Sequence, residues 1–212
     1  PVVAELSSWQ LEFLPDSGRA PHISVITNLF PDHLNRYKGM KAYAAAKANI
    51  IAHQRTKDFL ILNYDNEWFS YFAKKKRKSK LLCVSPHLLP SRYDGIFVQG
   101  GYAVLRLKGR ARHLFSVEKF SAAYGAHNLV NMLTAVLAVH LLEPKLLTTE
   151  HDIMKLRAPR MRQEIVFKKG DLCVVNDSCA TSPDGVIAAI KRFRTQGNIV
   201  LVTGGTDKEL EF

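Results

Sequence analysis

The sequence predicts an α/β fold in which a mostly parallel sheet is flanked by helices and carries a small antiparallel part. Short apolar runs alternate with helix-length amphipathic patterns along most of the 212 residues, as strands joined by crossover helices do. A composition of 47% hydrophobic and 23% charged residues suits one large or two small domains and argues against disorder. No segment reaches the roughly 18 apolar residues of a membrane span, and we expect no signal peptide.

The first part of the chain alternates strand-like and helix-like patterns. Short apolar runs predict strands, and apolar residues spaced by three and four predict helices. In chain order the predictions are a strand end at Val2 to Ala4, a strand at His22 to Thr27, a helix at Gly39 to Gln54, a strand at Phe59 to Leu62, a short aromatic helix at Trp68 to Phe72 and a strand at Leu81 to Val84.

The stretch from Tyr93 to Leu114 differs because glycines separate runs of alternating apolar and polar residues. Such alternation with glycine-containing turns predicts an antiparallel insertion or edge of the sheet. Two helix patterns follow, a long one at Ala126 to Leu142 and a shorter one near Glu150 to Leu156.

A domain boundary is predicted at Arg157-Ala158-Pro159, which divides the chain into residues 1–157 and 158–212. The second unit begins like another α/β domain and contains only a few elements. These are a hairpin of Glu164 to Lys168 with Leu172 to Val175, a helix at Pro183 to Phe193 and a strand at Ile199 to Val202. Because the chain also begins with proline, we expect both units to be truncated.

The formal net charge of +11 indicates polyanionic partners without identifying them. Six basic residues lie in the run Lys74 to Lys80, directly after the aromatic helix. This run could bind nucleic acid or a membrane surface. The favoured interpretation is a solvated helix end, where cations also complement the helix dipole.

Lys47 breaks the pattern of its predicted helix. Spacings of three and four place it among apolar positions, with Tyr43 and Ala44 before it and Ile50 and Ile51 after it. A lysine on a buried stripe either extends its amine to the surface or serves a function. Burial lowers the pKa of a lysine, which makes the free amine available for chemistry such as carbamylation.

Polar groups follow two of the predicted strands, at the edge where α/β sheets bind ligands. Glu5 closes the first apolar strand and precedes Ser7, while Asp32 and His33 follow the second strand. Carboxylate oxygens suit Mg²⁺, which also takes phosphate oxygens, and His33 could be a metal ligand or orient a phosphate. The alternative is that Ser7 and Asp32 only cap helices.

Polar residues also stand at the start of two later helices. His127, Asn128 and Asn131 open the long helix, where Asn131 shares one side with the other two. Amides there can hold an anion or a nucleotide, whereas capping would explain Asn128 but not Asn131. Asp177 follows a predicted strand, and Thr181 lies close to the next helix start.

Together these segments resemble the Mur ligase family, and in particular its D-glutamate-adding branch. The matches occur in the family's order and span nearly the whole chain. They are ELSSWQLE at residues 5–12, Asn28 with Pro31 to Tyr37, Ala45-Ala46-Lys47, Gly125 to Asn128 with Asn131, Asn176-Asp177-Ser178 with Ala180-Thr181, and Gly204-Gly205 with Asp207-Lys208. The resemblance implies a central ATP-binding domain at 1–157, without the family's phosphate-binding loop, and the start of a Rossmann-like amino-acid-binding domain at 158–212.

The resemblance also implies an activity. In the family, ATP phosphorylates a carboxylate, and the amine of an amino acid attacks the acyl phosphate to form an amide. The implied substrates are UDP-N-acetylmuramoyl-L-alanine, D-glutamate and ATP, with Mg²⁺ at two sites, in peptidoglycan synthesis. We expect a monomer without nucleic-acid partners. A cytoplasmic location is also expected, because three cysteines without metal-site spacing favour a reducing compartment.

Family roles can be carried onto individual residues. Glu5 and His33 resemble the magnesium ligands, and Lys47 resembles the carbamylated lysine whose new carboxylate supports the second Mg²⁺. Lys47, His33 and Asn128 form the implied catalytic group. The remaining implied roles are nucleotide or phosphate contacts at Asn128, Asn131 and Asp177, the interdomain arginine that meets ATP at Arg162 with Arg160 as the alternative, and substrate contacts at Ser7, Thr181 and Lys208.

One position departs from the family pattern, because Cys179 stands where the motif has lysine. A thiol cannot replace a fixed cation that faces a carboxylate or a phosphate. Either Lys191 or Lys208 compensates, or the handling of the amino acid differs. Another Mur-type or folylpolyglutamate-type ligase therefore stays open as an alternative, as does a basic nucleic-acid-binding protein that uses the lysine run.

Overall fold

A six-stranded sheet organises the first part of the chain in the computed structural model, which describes residues 1–157, 159–194 and 197–204. Strands β1 to β4 pair in parallel, and β4, β5 and β6 pair as antiparallel neighbours, in the sheet order β1-β2-β3-β4-β5-β6. The predicted parallel sheet with an antiparallel part is confirmed. The strands are β1 (Ile23–Ile26), β2 (Phe59–Asn63), β3 (Lys80–Ser85), β4 (Gly95–Gln99), β5 (Tyr102–Leu107) and β6 (Arg110–Ser116).

Six α-helices accompany this sheet: α1 (Ser8–Glu12), α2 (Met40–Ala48), α3 (Phe69–Ala73), α4 (Glu118–Tyr124), α5 (Ala126–Leu142) and α6 (Glu150–Met154). The long predicted helix at Ala126 to Leu142 has the expected bounds. The helix expected from Gly39 to Gln54 is shorter, because a 3₁₀ turn at Asn49–Ile51 follows α2. Helix α4 was not predicted. No described helix combines the length and apolarity that a transmembrane span requires.

Apolar side chains cover both faces of the sheet. On β2, Ile61 packs in the cluster that includes α5, whereas Leu60 and Leu62 pack in the cluster that includes α2 and α3. All three side chains are almost fully buried. A strand covered on both faces appears in the sequence as a continuous apolar run, which is why this short segment could be recognised. The result is three layers, with the sheet in the middle.

Two polar loops emerge at the same edge of this sheet, because β1 and β2 are parallel. Asn28 follows β1 and Asn63 ends β2, and the Asn63 amide donates a 2.7 Å hydrogen bond to the Asn28 side-chain oxygen. This edge therefore carries the segment Asn28–His33 and the turn into α2, which is where the sequence placed candidate ligand groups.

The second part of the described chain contains an antiparallel hairpin and a helix. Strands β7 (Glu164–Lys169) and β8 (Leu172–Asn176) pair around a tight turn, and α7 (Pro183–Phe193) follows. Ser182 caps α7 by accepting a hydrogen bond from the Gly185 N–H, and Pro183 occupies the first helical position. The predicted hairpin and helix are confirmed.

Two predicted strands are not found in the part of the chain that the structure describes. The Val2 to Ala4 segment has no regular secondary structure, and Val2 is 95% exposed. The Ile199 to Val202 segment likewise has none, and Val200 is 88% exposed. A strand needs neighbouring backbone groups, and neither segment pairs with a described strand. Glu5 therefore does not close a strand, which corrects the sequence-based placement.

Candidate functional site

Lys47 lies on the last turn of α2 with a half-buried side chain. Its ammonium is 5.1 Å from the centre of the Tyr43 ring. Burial lowers the pKa of this lysine, and the negative charges of Asp32 and Glu5 act against that shift. The position and pKa direction predicted from the helix pattern are therefore confirmed, and both acidic groups interact electrostatically with the amine.

The segment after β1 brings His33 to the same place. His33 adopts a left-handed backbone with φ of 54°, and its N–H donates a 2.8 Å hydrogen bond to Asp32 Oδ1. Its ring lies edge-on to Trp9 at 5.6 Å and to Tyr43 at 5.9 Å, between ring centres. Left-handed backbone is uncommon for residues other than glycine, so this segment holds a specific conformation. It fixes the His33 ring between α1 and α2.

Helix α1 is tied to this segment by a compact set of polar contacts. Glu12 accepts a 2.6 Å hydrogen bond from the Tyr37 hydroxyl and a 3.0 Å hydrogen bond from Arg36. These bonds hold the pKa of Glu12 below its usual range. Ser7 caps α1 through a reciprocal pair of hydrogen bonds with Gln10. The capping interpretation of Ser7 is therefore confirmed, and its substrate role stays a prediction.

The donors around Lys47 are of a kind that suits a hard cation. Glu5 and Asp32 carry carboxylate oxygens, which Mg²⁺ prefers, and a carbamate on Lys47 would add another carboxylate. That new negative charge would face two existing ones and would need a cation to compensate it. Among the described residues, no group of three or more His, Cys, Asp or Glu side chains is placed to hold a metal ion. The magnesium roles of Glu5 and His33 stay predictions.

The start of α5 differs from the capping arrangement considered for it. Gly125 occupies the N-cap position, and no side chain caps the helix. The Asn128 amide instead donates a 2.9 Å hydrogen bond to the Tyr124 carbonyl at the end of α4. Asn128 is half-buried and Asn131 is exposed. Helix capping therefore explains neither asparagine, and the nucleotide roles assigned to both stay predictions.

A polar junction joins the two parts of the chain. From α7, Arg192 donates a 3.0 Å hydrogen bond to the side-chain oxygen of Gln163 and a second bond to the Ala123 carbonyl on α4. Gln163 is only 8% exposed, and its N–H donates a 2.9 Å bond to Asp177 Oδ1. Asp177 thus orders the segment that leads into β7.

His127 belongs to the same junction. Burial lowers the pKa of His127, the Arg192 charge lowers it further, and Asp177 acts in the opposite direction. A β-carbon on Gly125 would lie 3.3 Å from the His127 ring and 3.4 Å from the Arg192 side chain. These residues therefore surround the start of α5 with groups from both parts of the chain.

The sequence analysis missed Arg192 and Gln163. A basic residue in the last turn of a helix is usually explained by the helix dipole, so Arg192 carried no distinctive signal. Its partners lie 29 and 69 positions away along the chain, and only the tertiary structure brings them together.

The other predicted site residues of the second part differ in how far they are exposed and in their contacts. Arg162 and Thr181 are exposed, and Arg160 forms a 4.0 Å ion pair with Glu164. Cys179 is half-buried, and its N–H donates a 3.0 Å bond to the Met161 carbonyl. Lys208 lies outside the described residues. The ATP and substrate roles assigned to this group stay predictions.

The basic run after α3 has the contacts of a helix end. The Arg77 guanidinium donates a hydrogen bond to the Ala73 carbonyl, where α3 ends. Lys75 places its ammonium 4.4 Å from the centre of the Tyr71 ring on the same helix. These contacts agree with the favoured helix-end interpretation of the run.

The fold and the site define a class of α/β protein in which a half-buried lysine, Lys47, lies beside a mostly parallel sheet within electrostatic reach of the Glu5 and Asp32 carboxylates. Residues 1–139 match the model of the Mur ligase middle domain. This match covers more than half of the chain, including the whole six-stranded sheet. The chain belongs to the Mur ligase family, and the resemblance seen in its motifs is confirmed.

Curated relatives match along the whole chain. A UDP-N-acetylmuramoylalanine--D-glutamate ligase from Clostridioides difficile (strain 630) is 33% identical over 215 residues. The ligase of the same name from Symbiobacterium thermophilum is 34% identical over 211 residues. Each alignment covers 100% of this chain and 45% of the relative, so the chain spans less than half the length of these relatives.

Solved structures share the fold at lower sequence identity. MurF from Acinetobacter baumannii aligns with a TM-score of 0.61 and 16% identity over 90% of this chain and 40% of its own. MurF ligase from Thermotoga maritima in complex with ADP aligns with a TM-score of 0.60 and 16% identity over 89% of this chain and 42% of its own. The arrangement of strands and helices is therefore that of a Mur ligase.

Proposed function

We propose that this chain is part of an ATP-dependent amide ligase that adds D-glutamate to UDP-N-acetylmuramoyl-L-alanine in cytoplasmic peptidoglycan synthesis. The observation that carries the proposal is the half-buried Lys47 amine, on which Glu5 and Asp32 act electrostatically. Identity of 33% to D-glutamate ligases along the whole chain supports the choice of substrates.

Lys47 prepares the site by reacting with carbon dioxide. Because burial lowers its pKa, a larger fraction of the amine is unprotonated than in an exposed lysine. The free amine adds to carbon dioxide, a nitrogen–carbon bond forms, and one proton is released to solvent. Glu5, His33 and the resulting carbamate would hold Mg²⁺, which supplies charge neutralisation at the phosphates of ATP.

The proposed reaction has two steps, and this chain orients the reactants in both. The substrate carboxylate attacks the γ-phosphorus of ATP, which gives an acyl phosphate and ADP. The D-glutamate amine then attacks the acyl carbon, phosphate leaves, and an amide forms with loss of a proton. The positioning groups would be Asn128, Asn131, Asp177 and Arg162 for the nucleotide and Ser7, Thr181 and Lys208 for the substrates.

Water must be excluded from the acyl phosphate, because hydrolysis would waste the activated carboxylate. The junction around Arg192 and Gln163 joins the two parts of the chain next to Asn128 and Asp177. Closure of the second part over the first, with its hinge near Pro159, would bring the nucleotide and amino-acid contacts together.

The test is Lys47→Ala in the full-length protein that contains this chain. We expect D-glutamate-dependent ADP release to fall at least 100-fold, because the carbamate is lost, and to recover in part with acetate or formate. Lys41→Ala is the matched control, since Lys41 is exposed on the same helix. ADP release that is equal in the two variants would contradict the proposed role of Lys47.

Two further arms of the assay test the substrates and the extent of the active unit. ADP release that depends on another amino acid in place of D-glutamate would assign the chain to a different branch of the family. The 212-residue chain alone has no G-x-x-x-x-G-K-[ST] loop to hold the phosphates, and we expect it to release no ADP.

A further inference from the structure

A basic pocket lies at the amino-terminal edge of the sheet. Its volume is about 380 Å³, and its polar lining consists of Arg19, His22, His53, Arg55, Lys57 and Asp58. His22 directly precedes β1 and Asp58 directly precedes β2, and these strands pair in parallel with Ile23 opposite Phe59. The pocket therefore stands at the opposite edge from Asp32 and His33, and the proposed ligase reaction makes no use of it.

The one acidic residue in the pocket already has protein partners. Asp58 Oδ1 lies 2.8 Å from His22 Nδ1, and Oδ2 accepts a 2.6 Å hydrogen bond from the Arg55 N–H. Burial raises the pKa of Asp58, but these hydrogen bonds and the charges of His22 and Lys57 together outweigh burial and hold the pKa below its usual range. Asp58 therefore stays ionised, and its hydrogen bonds go to His22 and to the Arg55 N–H, while Lys57 acts on it only through its charge.

The cationic side chains have no equivalent partners. Arg19, Arg55 and Lys57 form no ion pair within 4.0 Å with any acidic group in the described residues. Arg19, Arg55 and Lys57 against the single carboxylate of Asp58 give these four side chains two net positive charges. His53 is held at the rim by a 2.8 Å hydrogen bond to the Pro15 carbonyl. The side chains of Arg19, Arg55 and Lys57 are exposed, and they leave the pocket with a net positive charge.

Charge and size together indicate the chemical class of the ligand. Two guanidinium groups and one ammonium supply more donors than a single carboxylate can accept, and they match the three oxygens and double charge of a phosphate group. A volume of about 380 Å³ equals that of roughly a dozen water molecules, so the pocket also has room for an organic group on the phosphate.

We propose that this pocket binds a phosphate group, either free or as the monoester of a small molecule, at a site separate from the ligase centre. Arg19 and Arg55 hold the phosphate oxygens and Lys57 completes the charge balance. The site does not depend on Lys47 or on bound ATP.

The experiment is calorimetric titration of the 212-residue chain with inorganic phosphate and with glycerol phosphate, using sodium chloride at matched ionic strength as the reference. We expect saturable one-site binding, weakened at least tenfold in the double variant Arg19→Gln/Arg55→Gln and by a smaller factor in Lys57→Gln. The control Lys74→Gln/Lys76→Gln removes the same charge from positions that are exposed, like Arg19 and Arg55, but lie outside the pocket, and it should bind as the parent chain does. Circular dichroism establishes that each variant is folded.

The two ligands separate the possible sources of the phosphate. Tighter binding of glycerol phosphate would identify an organic monoester as the ligand class, and equal binding would identify free phosphate. Loss of binding in Lys47→Ala with retention in Arg19→Gln/Arg55→Gln would place the anion at the ligase centre and overturn the proposal. Absence of saturable binding, or equal weakening in the control variant, would overturn it as well.

Discussion

Arg192 connects the two parts of the chain, and replacing it with methionine removes that connection while retaining an unbranched side chain of similar length. In the parent chain, Arg192 donates to the Gln163 side chain at 3.0 Å and to the Ala123 carbonyl. Methionine can form neither bond. The buried Gln163 side-chain oxygen then loses its arginine donor, and α7 loses its polar contact with α4.

The expected cost follows from the number and environment of these bonds. A hydrogen bond from a charged donor contributes about 1.5–3 kcal/mol, and an unsatisfied buried acceptor costs about 1–3 kcal/mol. Arg192 is half-buried, so water competes for both of its bonds. We therefore expect Arg192→Met to lower the free energy of unfolding by about 2 kcal/mol.

Urea denaturation measures this loss, and Lys191→Met is the matched control because Lys191 is the exposed neighbour on the same helix. We expect the control to change the free energy of unfolding by less than about 0.5 kcal/mol. Hydrogen exchange in β7 and β8 should increase in Arg192→Met, since the hairpin loses its connection to α4. Equal destabilisation by the two substitutions would refute the reasoning.

The same substitution has an electrostatic consequence at His127. Burial and the Arg192 charge both lower its pKa from the ordinary value of 6.5, so the unfolded chain binds more protons between the folded pKa and 6.5. The His127 contribution to the free energy of unfolding therefore increases with pH across that window. Arg192→Met should raise the pKa of His127 and reduce the dependence of the free energy of unfolding on pH. NMR titration of the His127 ring measures its pKa in the parent chain and in the variant.

Two further predictions concern packing in the sheet domain. Leu133→Ala should lower the free energy of unfolding by about 2–5 kcal/mol in urea denaturation, because Leu133 is fully buried under the sheet. The control Leu142→Ala, at a 48% exposed position, should lower it by less than about 1 kcal/mol. Equal losses would show that the core is not packed as described. Gly95→Ala should prevent normal pairing of β3 with β4, because the new β-carbon would lie 1.8 Å from the Cys83 carbonyl oxygen at a φ of +149°. A Gly95→Ala protein with the parent's thermal unfolding midpoint would contradict this geometry.

Local sequence patterns carried most of the information about helices and strands. The bounds of α5 could be read from the spacing of its apolar residues, and the short apolar run at β2 identified a strand buried on both faces. The runs at Val2 and Ile199 show where such patterns fail, because an apolar run becomes a strand only when a neighbouring strand supplies hydrogen bonds.

The residues of the candidate site also fall into those that a local sequence pattern predicted and those that only the tertiary structure brought together. The position of Lys47 on a buried stripe was predictable, because helix periodicity relates residues three and four apart. The contact of Arg192 with Ala123 and Gln163 was not, since no local pattern relates residues so far apart in the chain. The basic pocket beside β1 and β2 also depends on the parallel pairing that aligns His22 with Asp58.

The sequence by itself indicated the family, most of the helices and strands in their order, and the polar residue types near the candidate site, because each of these depends on residue identity and short-range spacing. The tertiary structure decided which charges meet, which carbonyls accept hydrogen bonds and how far Lys47 is buried. Those quantities depend on distances between segments far apart in the chain, and such distances are set only when the sheet and helices pack together.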